Sequence, residues 1–269
     1  MRLSLAISSC PNDTFMFDAL IHHKVDTEDL EFDVFFDDVE ALNRKAFQNT
    51  FDVSKLSFHA ITNLVADYSL LNSGAALGDN NGPLLICKKG ASPLTDNSKI
   101  AIPGKYTTAN MLLKIAFPNL TNTHEIIFSD IEQNVLDGTM DAGLIIHENR
   151  FTYHQRGLEK IMDLGQFWQE KFNLPIPLGG IAINKKLDIS IHHKMDRVLK
   201  RSVEYAFSNR NSSADFVKKH AQEMDVDVIR KHIDLYVNHY SLELDKKGKK
   251  AIFKLFDSCG VDSSNVFVV

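Results

Sequence analysis

The chain contains 269 residues, of which 44% are hydrophobic and 24% are charged, a composition typical of a globular protein. The formal net charge of −5 provides neither a basic surface for nucleic acid nor a polybasic patch for a membrane. Apolar runs stay well below the roughly 20 residues that span a bilayer. We therefore expect no nucleic-acid partner and no membrane insertion.

The cysteines and the first residues bear on the compartment. Cys10, Cys87 and Cys259 are isolated and show no CxxC spacing. A sparse, odd set of this kind fits reduced thiols in a cytosol better than a disulfide framework. The first ten residues contain one basic residue and an apolar run too short for a signal peptide, so they are interpreted as a first strand. We expect a cytoplasmic protein.

A strand over 3–8 and a helix over 15–21 are predicted to open the chain. Between them lie Pro11, Asn12 and Asp13, which are residue types that start helices. Such a turn presents backbone N–H groups at the carboxyl edge of a sheet, where they can bind a carboxylate. For at least one of these residues, an ordinary helix cap is the alternative.

A second strand is predicted over 30–36, and Asp37 then caps a helix with Glu40 in a capping-box-like position. A short strand follows and carries Lys55 and Ser57. Because these two residues are two positions apart at a strand end, both can face one cleft. Lys55 could equally be a solvated surface cation.

Loops and prolines indicate where the chain passes between lobes. Two glycines and a proline in 78–83 mark a sharp turn or a close approach, and a strand is predicted over 84–87. The polar segment 92–98 and the proline-rich segment 173–180 are the candidate crossovers. Two lobes with a ligand cleft between them are therefore predicted, one formed by 1–92 plus 180–269 and the other by 93–179.

The second lobe shows a β-α-β-α-β pattern, which requires a parallel sheet with right-handed crossovers. Its predicted elements are strands over 99–102, 125–128 and 142–146, a helix over 109–117, and a helix that a capping box at 129–132 opens. Thr107 and Thr108 lie at a helix start, like anion-binding hydroxyls, although no Walker pattern is present. The C-terminal region is helical by periodicity, near 193–208, 213–223, 226–238 and 245–257.

His147 follows the last strand of this pattern. Ligands of open α/β sheets bind beyond the carboxyl ends of the strands, and an imidazole there can exchange a proton near neutral pH. A histidine that closes a strand and bonds a neighbouring loop is the alternative. The sequence shows no HExxH, Cys/His cluster, GxSxG or GxGxxG pattern, so a dedicated metal or dinucleotide site is not expected. These patterns alone do not separate a solute-binding protein from a cofactor-free enzyme.

Seven motifs recur together and in the same order in one known family. They are Ser9–Phe15, Asp38–Arg44, Ser54–Ser57, Leu77–Leu84, Pro103–Thr108, Ala142–Glu148 and Pro175–Gly179. On these motifs, which cover nearly the whole chain, the sequence resembles the 1,4-dihydroxy-6-naphthoate synthases of the futalosine pathway of menaquinone biosynthesis. The resemblance implies an α/β, type II periplasmic-binding-protein-like fold with two lobes. Each lobe would be a mostly parallel sheet flanked by helices, with a helical C-terminal region.

The resemblance also implies an activity: a lyase that converts cyclic dehypoxanthinyl futalosine into 1,4-dihydroxy-6-naphthoate and releases the sugar-derived fragment. Aromatisation drives such a reaction, so no metal or redox cofactor is required. His147 becomes the proton acceptor by this resemblance. The candidate residues for binding the small carboxylate substrate are Lys55, Leu56, Ser57, Thr107, Thr108, Asn12, Asp13 and Gly82.

Two departures from the family pattern occur. Ser9 stands where the family usually has proline, and 79–81 (Asp-Asn-Asn) replaces an Arg-Gly type of loop, which removes a basic contact expected there. Two alternatives stay open: a non-catalytic solute-binding protein for a small carboxylate, and the sibling chorismate dehydratase of the same fold. The 10–15 motif and the Thr107–Thr108 pair favour the synthase. The sequence leaves the oligomeric state open.

Overall fold

The computed structural model describes residues 1–79, 81–221 and 225–268, with every side chain among them except that of Glu148. The chain divides into two compact units. Unit 1 comprises Met1–Leu77 and Pro177–Val269, and unit 2 is the continuous segment Gly78–Ile176. Within the described ranges, every helix is too short or too polar to cross a membrane.

The first segment of unit 1 alternates strands and helices. Its elements are β1 (Arg2–Ile7), α1 (Pro11–Ile21), β2 (Glu31–Phe36), α2 (Val39–Ala46), β3 (Val53–Ser57), α3 (Phe58–Thr62), β4 (Tyr68–Leu70) and β5 (Ala76–Gly78). The α1 helix is buried from Pro11 to Leu20, so it has no polar face. It starts at Pro11 and not at Phe15 as predicted, because proline fits the first helical position, where no N–H is needed.

Unit 2 contains one sheet and three α-helices in its described residues. Its elements are β6 (Leu84–Lys88), β7 (Ile100–Ile102), α4 (Thr108–Ala116), β8 (Thr123–Glu125), α5 (Ile131–Leu136), β9 (Ala142–Ile145), β10 (Leu158–Asp163) and α6 (Leu164–Phe172). Three 3₁₀ turns also occur, at Phe128–Asp130, His147–Phe151 and Tyr153–Arg156. The predicted capping box at 129–132 is wrong, because α5 starts after a 3₁₀ turn and Asp130 caps it without a side-chain bond.

The chain then returns to unit 1 and ends in helices, as predicted. The last elements are β11 (Ile176–Asn184), α7 (Ile189–Ser208), α8 (Ala214–His220), α9 (Val226–Tyr236), α10 (His239–Leu242) and α11 (Lys246–Ser258). The predicted helix near 213–223 corresponds to α8, and its last two residues lie outside the described residues. Asn80, one of the positions that depart from the family pattern, also lies outside them.

Both sheets are mixed, whereas mostly parallel sheets were predicted. The unit 1 sheet has the order β2-β1-β3-β11-β4, with β5 beside β11. Its β2-β1-β3 part is parallel, whereas β11 runs antiparallel to β3 and β4. The unit 2 sheet has the order β10-β6-β9-β7-β8, and only the β9-β7-β8 part is parallel. The β-α-β pattern in the sequence predicted only the strands that run parallel. Pairing between strands far apart in sequence sets the direction of the others.

The boundaries between the two units differ from the predicted lobe boundaries. The predicted boundaries lie at 92/93 and 179/180, whereas the chain divides into its compact units at 77/78 and 176/177. The first boundary lies earlier because β6, which was assigned to the first lobe, pairs with β9 and β10 of the unit 2 sheet. The two predicted α/β sheets and the helical C-terminal region are confirmed.

Each unit packs its own apolar core. In unit 1, apolar residues of β1, α1, α7 and α9 form one buried cluster that includes Leu5, Phe17 and Leu199. In unit 2, a smaller cluster joins β6, β9 and α5 and includes Ile86 and Ile131. Removing this apolar surface from water is the main favourable term in the folding of each unit.

Candidate functional site

A buried ion pair lies at the centre of the unit 1 candidates. The Lys55 Nζ on β3 lies 3.0 Å from the Asp13 Oδ1 on α1, and both side chains are over 90% buried. The other Asp13 oxygen accepts hydrogen bonds from the Ser8 hydroxyl at 2.7 Å and the Ser8 N–H at 3.2 Å. Lys55 is therefore not a solvated surface cation. Buried charges of this kind are stable only when they are paired and hydrogen-bonded.

Asn12 connects this ion pair to a histidine of the C-terminal region. Its side-chain amide donates to the Asp13 Oδ1 at 2.8 Å, and its amide oxygen lies 3.0 Å from the His232 Nε2. With that oxygen as the acceptor, Nε2 is the nitrogen of His232 that carries the hydrogen. His232 is 1% exposed. The polar cluster of Ser8, Asn12, Asp13, Lys55 and His232 therefore links α1 to β3 and α9 (hereafter the unit 1 polar cluster).

His232 is not among the residues predicted for the site, although the sequence contains a signal for it. The predicted helix near 226–238 placed Ile229, Ile233 and Tyr236 on its apolar face. His232 falls on this same face by helical periodicity, and the structure buries all four residues. A histidine on an apolar helix face needs a polar partner, and this one finds it in Asn12, 220 positions away.

Ser57 is held by the side chain of Asn43 from α2. The Asn43 amide oxygen accepts from the Ser57 N–H at 2.9 Å, and its amide group donates to the Ser57 hydroxyl at 3.1 Å. Both residues are buried. Since the hydroxyl oxygen accepts from Asn43, its own hydrogen is available to donate. Leu56 lies between Lys55 and Ser57 in the sequence and is also buried, so both faces of β3 are covered.

Thr107 and Thr108 open α4 in unit 2, as predicted, and both are buried. The Thr107 hydroxyl accepts from the Asn110 N–H at 3.2 Å and donates to the Gly104 carbonyl at 2.8 Å. Thr107 is therefore the N-cap of α4, which satisfies one of the N–H groups that a helix start leaves without a partner. A substrate contact by either threonine stays a prediction.

His147 lies just beyond the carboxyl end of β9, where the sequence placed it. The strand ends at Ile145, and His147 is the first residue of the 3₁₀ turn His147–Phe151. Its ring is half-buried and contacts the ring of Phe128 edge-on, with the centroids 4.8 Å apart. Because β7 and β9 are parallel neighbours, His147 and the turn before Thr107 leave the sheet at the same edge.

Gly82 uses both of its backbone groups within unit 2. Its N–H donates to the Asp163 Oδ1 at 3.0 Å, and its carbonyl accepts from the Arg150 guanidinium at 2.7 Å. The close approach predicted for this glycine is thus to α6, since an added Cβ would overlap the backbone of Gly165. Its predicted contact with substrate stays a prediction.

Other groups with reactive side chains are less suited to chemistry. Burial raises the pKa of the Cys87 thiol, and the nearby Glu159 carboxylate raises it further. Burial also raises the pKa of the Cys259 thiol. Neither thiol is therefore activated as a thiolate nucleophile at neutral pH. In the described part of the chain, no three His, Cys, Asp or Glu side chains are grouped to hold a metal ion.

The two mixed sheets with flanking helices define the class of protein. A Candida albicans protein reported to have the generic periplasmic binding protein fold superposes with a TM-score of 0.71, over 98% of this chain and 92% of its own. At 11% identity, that likeness is one of fold alone. A crystal structure of an Archaeoglobus fulgidus protein superposes with a TM-score of 0.90 at 36% identity, covering 96% of this chain and 97% of that one. The chain has a periplasmic-binding-protein-like fold.

Sequence comparison places the chain more narrowly. The family model for menaquinone biosynthesis matches residues 3–260. A Thermus thermophilus protein named 1,4-dihydroxy-6-naphtoate synthase is 38% identical over 254 residues, which span 94% of this chain and 92% of that protein. The chain therefore belongs to the menaquinone-biosynthesis family and is an enzyme.

Proposed function

We propose that this enzyme converts cyclic dehypoxanthinyl futalosine into 1,4-dihydroxy-6-naphthoate in the cytoplasm, cleaving a carbon–carbon bond and releasing the sugar-derived fragment. The name of the Thermus thermophilus relative supports the product. The seven sequence motifs support the substrate. The structural observation that carries the proposal is the position of His147, which is half-buried and lies two residues beyond the carboxyl end of a buried strand.

In this proposal, His147 is the general base. A neutral imidazole removes a proton from a carbon or hydroxyl of the substrate, and the electrons released help to expel the sugar-derived fragment as the aromatic ring forms. The gain in aromatic stabilisation supplies much of the driving force. No redox change of an external group is therefore needed, and the proposal includes no metal or redox cofactor.

Hydrogen-bond donors are proposed to hold the polar groups of the substrate, its carboxylate included. The donors are the Lys55 ammonium, the hydroxyls of Ser57 and Thr108, and the backbone N–H groups near Leu56, Asn12 and Gly82. The Thr107 hydroxyl would join them by exchanging its hydrogen bond to the Gly104 carbonyl for one to the substrate, since it has a single hydrogen to donate. Asp13 would act by fixing the Lys55 ammonium, since the two are already paired. An ammonium neutralised in this way still donates hydrogen bonds, but it presents less net charge to a carboxylate.

The test is to incubate the purified protein with cyclic dehypoxanthinyl futalosine and to follow 1,4-dihydroxy-6-naphthoate by mass spectrometry. Formation of the naphthoate at many turnovers per enzyme supports the proposal. A parallel incubation with chorismate distinguishes the synthase from the sibling enzyme, because a dehydrated product would identify a chorismate dehydratase. Saturable binding with no product from either compound would instead indicate a solute-binding protein.

A further inference from the structure

The backbone of His147 adopts a conformation that needs support. Its φ of 59° lies in the left-handed region, which residues other than glycine seldom adopt. Such conformations persist where the surrounding structure holds them, and they concentrate at functional sites. The 3₁₀ turn His147–Phe151 therefore needs contacts that hold it in place.

Arg150 anchors this turn through its guanidinium. One terminal nitrogen donates to the Gly82 carbonyl at 2.7 Å, and the other donates to the Asp163 Oδ2 at 3.0 Å. The side chains of Arg150 and Asp163 are only 14% and 6% exposed. A planar guanidinium with two such bonds fixes orientation as well as distance.

Asp163 is itself fixed by backbone groups. Its Oδ1 accepts from the N–H groups of Gly82 at 3.0 Å, Gly165 at 2.8 Å and Gln166 at 3.2 Å, so it is also the N-cap of α6. Gly82 and Gly165 are packed so closely that a Cβ on either would overlap the backbone of the other's segment. Arg150 and Asp163 thus join the turn that begins at His147 to the closely packed backbone segments around Gly82 and Gly165.

We infer that Arg150 and Asp163 are positioning residues for His147. They hold the turn so that the imidazole keeps its place beyond β9, and they act on the reaction only through that ring. This inference rests on the proposed role of His147 as general base. A base misplaced by even a fraction of an ångström transfers protons less efficiently, so loosening the pair should lower the chemical rate more than substrate affinity.

The test uses Arg150→Lys and Asp163→Asn. Lysine has one terminal nitrogen, so it cannot reproduce the bidentate contact of the guanidinium with Gly82 and Asp163. Asparagine retains an oxygen for the α6 cap while its amide group faces Arg150 as a second donor, which breaks only the ion pair. Each variant is made in the wild-type chain and in the His147→Ala chain. Single-turnover rates, KM and Tm are measured with cyclic dehypoxanthinyl futalosine.

We expect each variant to lower the single-turnover rate at least tenfold in the wild-type chain, with KM changed less than threefold. In the His147→Ala chain, the same substitution should change the residual rate less than twofold, because the ring through which the pair acts is gone. Arg156→Lys is the matched control. Arg156 follows in the next 3₁₀ turn and pairs with Glu132 of α5, so its loss should leave the rate unchanged.

Equal losses of rate in both backgrounds would overturn the inference, since the pair would then act independently of His147. Folded Arg150→Lys or Asp163→Asn protein with a normal rate would overturn it as well, and Asp163→Asn decides the matter if Arg150→Lys does not fold. Wild-type protein that forms no naphthoate would remove the proposed function, and a His147→Ala protein with normal turnover would remove the role of His147 as general base. Both of these results are obtained without a substitution at Arg150 or Asp163, so they are distinguishable from a failure of the positioning role.

Discussion

His147 is the residue on which the proposed chemistry depends. His147→Ala should lower turnover by a factor of about 100–10,000, the usual weight of a general base. Substrate affinity should fall far less. The fold should survive, because a half-buried ring contributes little to core packing. Because only the neutral imidazole accepts a proton, the wild-type rate should also be lost in acid.

Single-turnover rate and thermal stability are measured on the same His147→Ala preparation. His154→Ala is the matched control, because His154 lies seven positions further on and is exposed. A structural histidine at 147 would show the opposite pattern, with a lowered Tm and near-normal chemistry per folded molecule. That pattern would end the catalytic assignment.

The hydroxyls of Ser57 and Thr107 provide a test of substrate binding. Ser57→Ala and Thr107→Ala should each weaken binding of substrate or of a dicarboxylate by about 1–2 kcal/mol, the scale of a lost hydrogen bond to a charged group. Thr107→Ala also removes the N-cap of α4, which costs about 0.5–2 kcal/mol of folding stability. Thr107→Ser keeps the capping hydroxyl and is the control. Unchanged affinity by calorimetry in both alanine variants would exclude these hydroxyls from the site.

The ion pair of Asp13 and Lys55 should matter strongly for stability. Asp13→Asn leaves a buried ammonium without its counter-charge, so the free energy of unfolding in urea should fall by about 3–5 kcal/mol. The control is Asp33→Asn, which breaks the ion pair between Asp33 and Arg2. The side chain of Arg2 is 69% exposed and that of Asp33 is 55% exposed. Exposed pairs contribute about 0–1 kcal/mol, so this change should be nearly neutral. Similar effects of the two substitutions would contradict the buried pairing.

At the scale of a single element, α7 carries a buried histidine that should make stability depend on pH. Burial lowers the pKa of His192 below its usual value, an effect that the hydrogen bond to the Asn184 carbonyl opposes only in part. The unfolded chain therefore binds a proton at this residue at a higher pH than the folded chain does. Stability should fall as the pH drops through about 6.5, the unperturbed value, and the loss should stop below the lowered pKa of the folded protein.

His192→Gln is the substitution that checks this, because glutamine keeps an N–H donor for Asn184 and cannot be protonated. The free energy of unfolding is measured between pH 7.5 and 5.5 for both proteins. The variant should show a smaller loss than the wild type. Some loss should remain, since burial also lowers the pKa of His220 in α8. Equal slopes for both proteins would show that His192 is not the source.

At the scale of the whole molecule, unit 2 has its own sheet and its own apolar core. Its five strands pair with one another, and its apolar cluster is drawn from the same continuous segment, 78–176. A segment with its own sheet and core can fold alone. The isolated segment should show strand and helix signals in circular dichroism and a cooperative thermal transition. A non-cooperative melt would mean that unit 2 depends on the rest of the chain.

Local patterns were enough to predict the parts of the fold that depend on neighbours in sequence. The apolar run over 142–146 predicted a buried strand with His147 at its carboxyl end, and the structure has that strand at Ala142–Ile145. Thr107 was predicted at a helix start for the same kind of reason. Even local patterns have a limit: the cap of α2 is Asp38 and not the adjacent Asp37, because only Asp38 accepts from the N–H groups of the first turn. Two adjacent aspartates look alike in sequence.

The tertiary structure alone decided which distant residues meet. Lys55 was as consistent with a surface cation as with a binding residue until β3 brought it against Asp13, 42 positions away. His232 reaches Asn12 only because α9 packs near α1, and Arg150 reaches Gly82 across 68 positions. The antiparallel direction of β6 and β11 was set in the same way. Periodicity records which side of an element is buried, but a buried polar group chooses its partner by the packing of whole elements, which a single sequence does not encode locally.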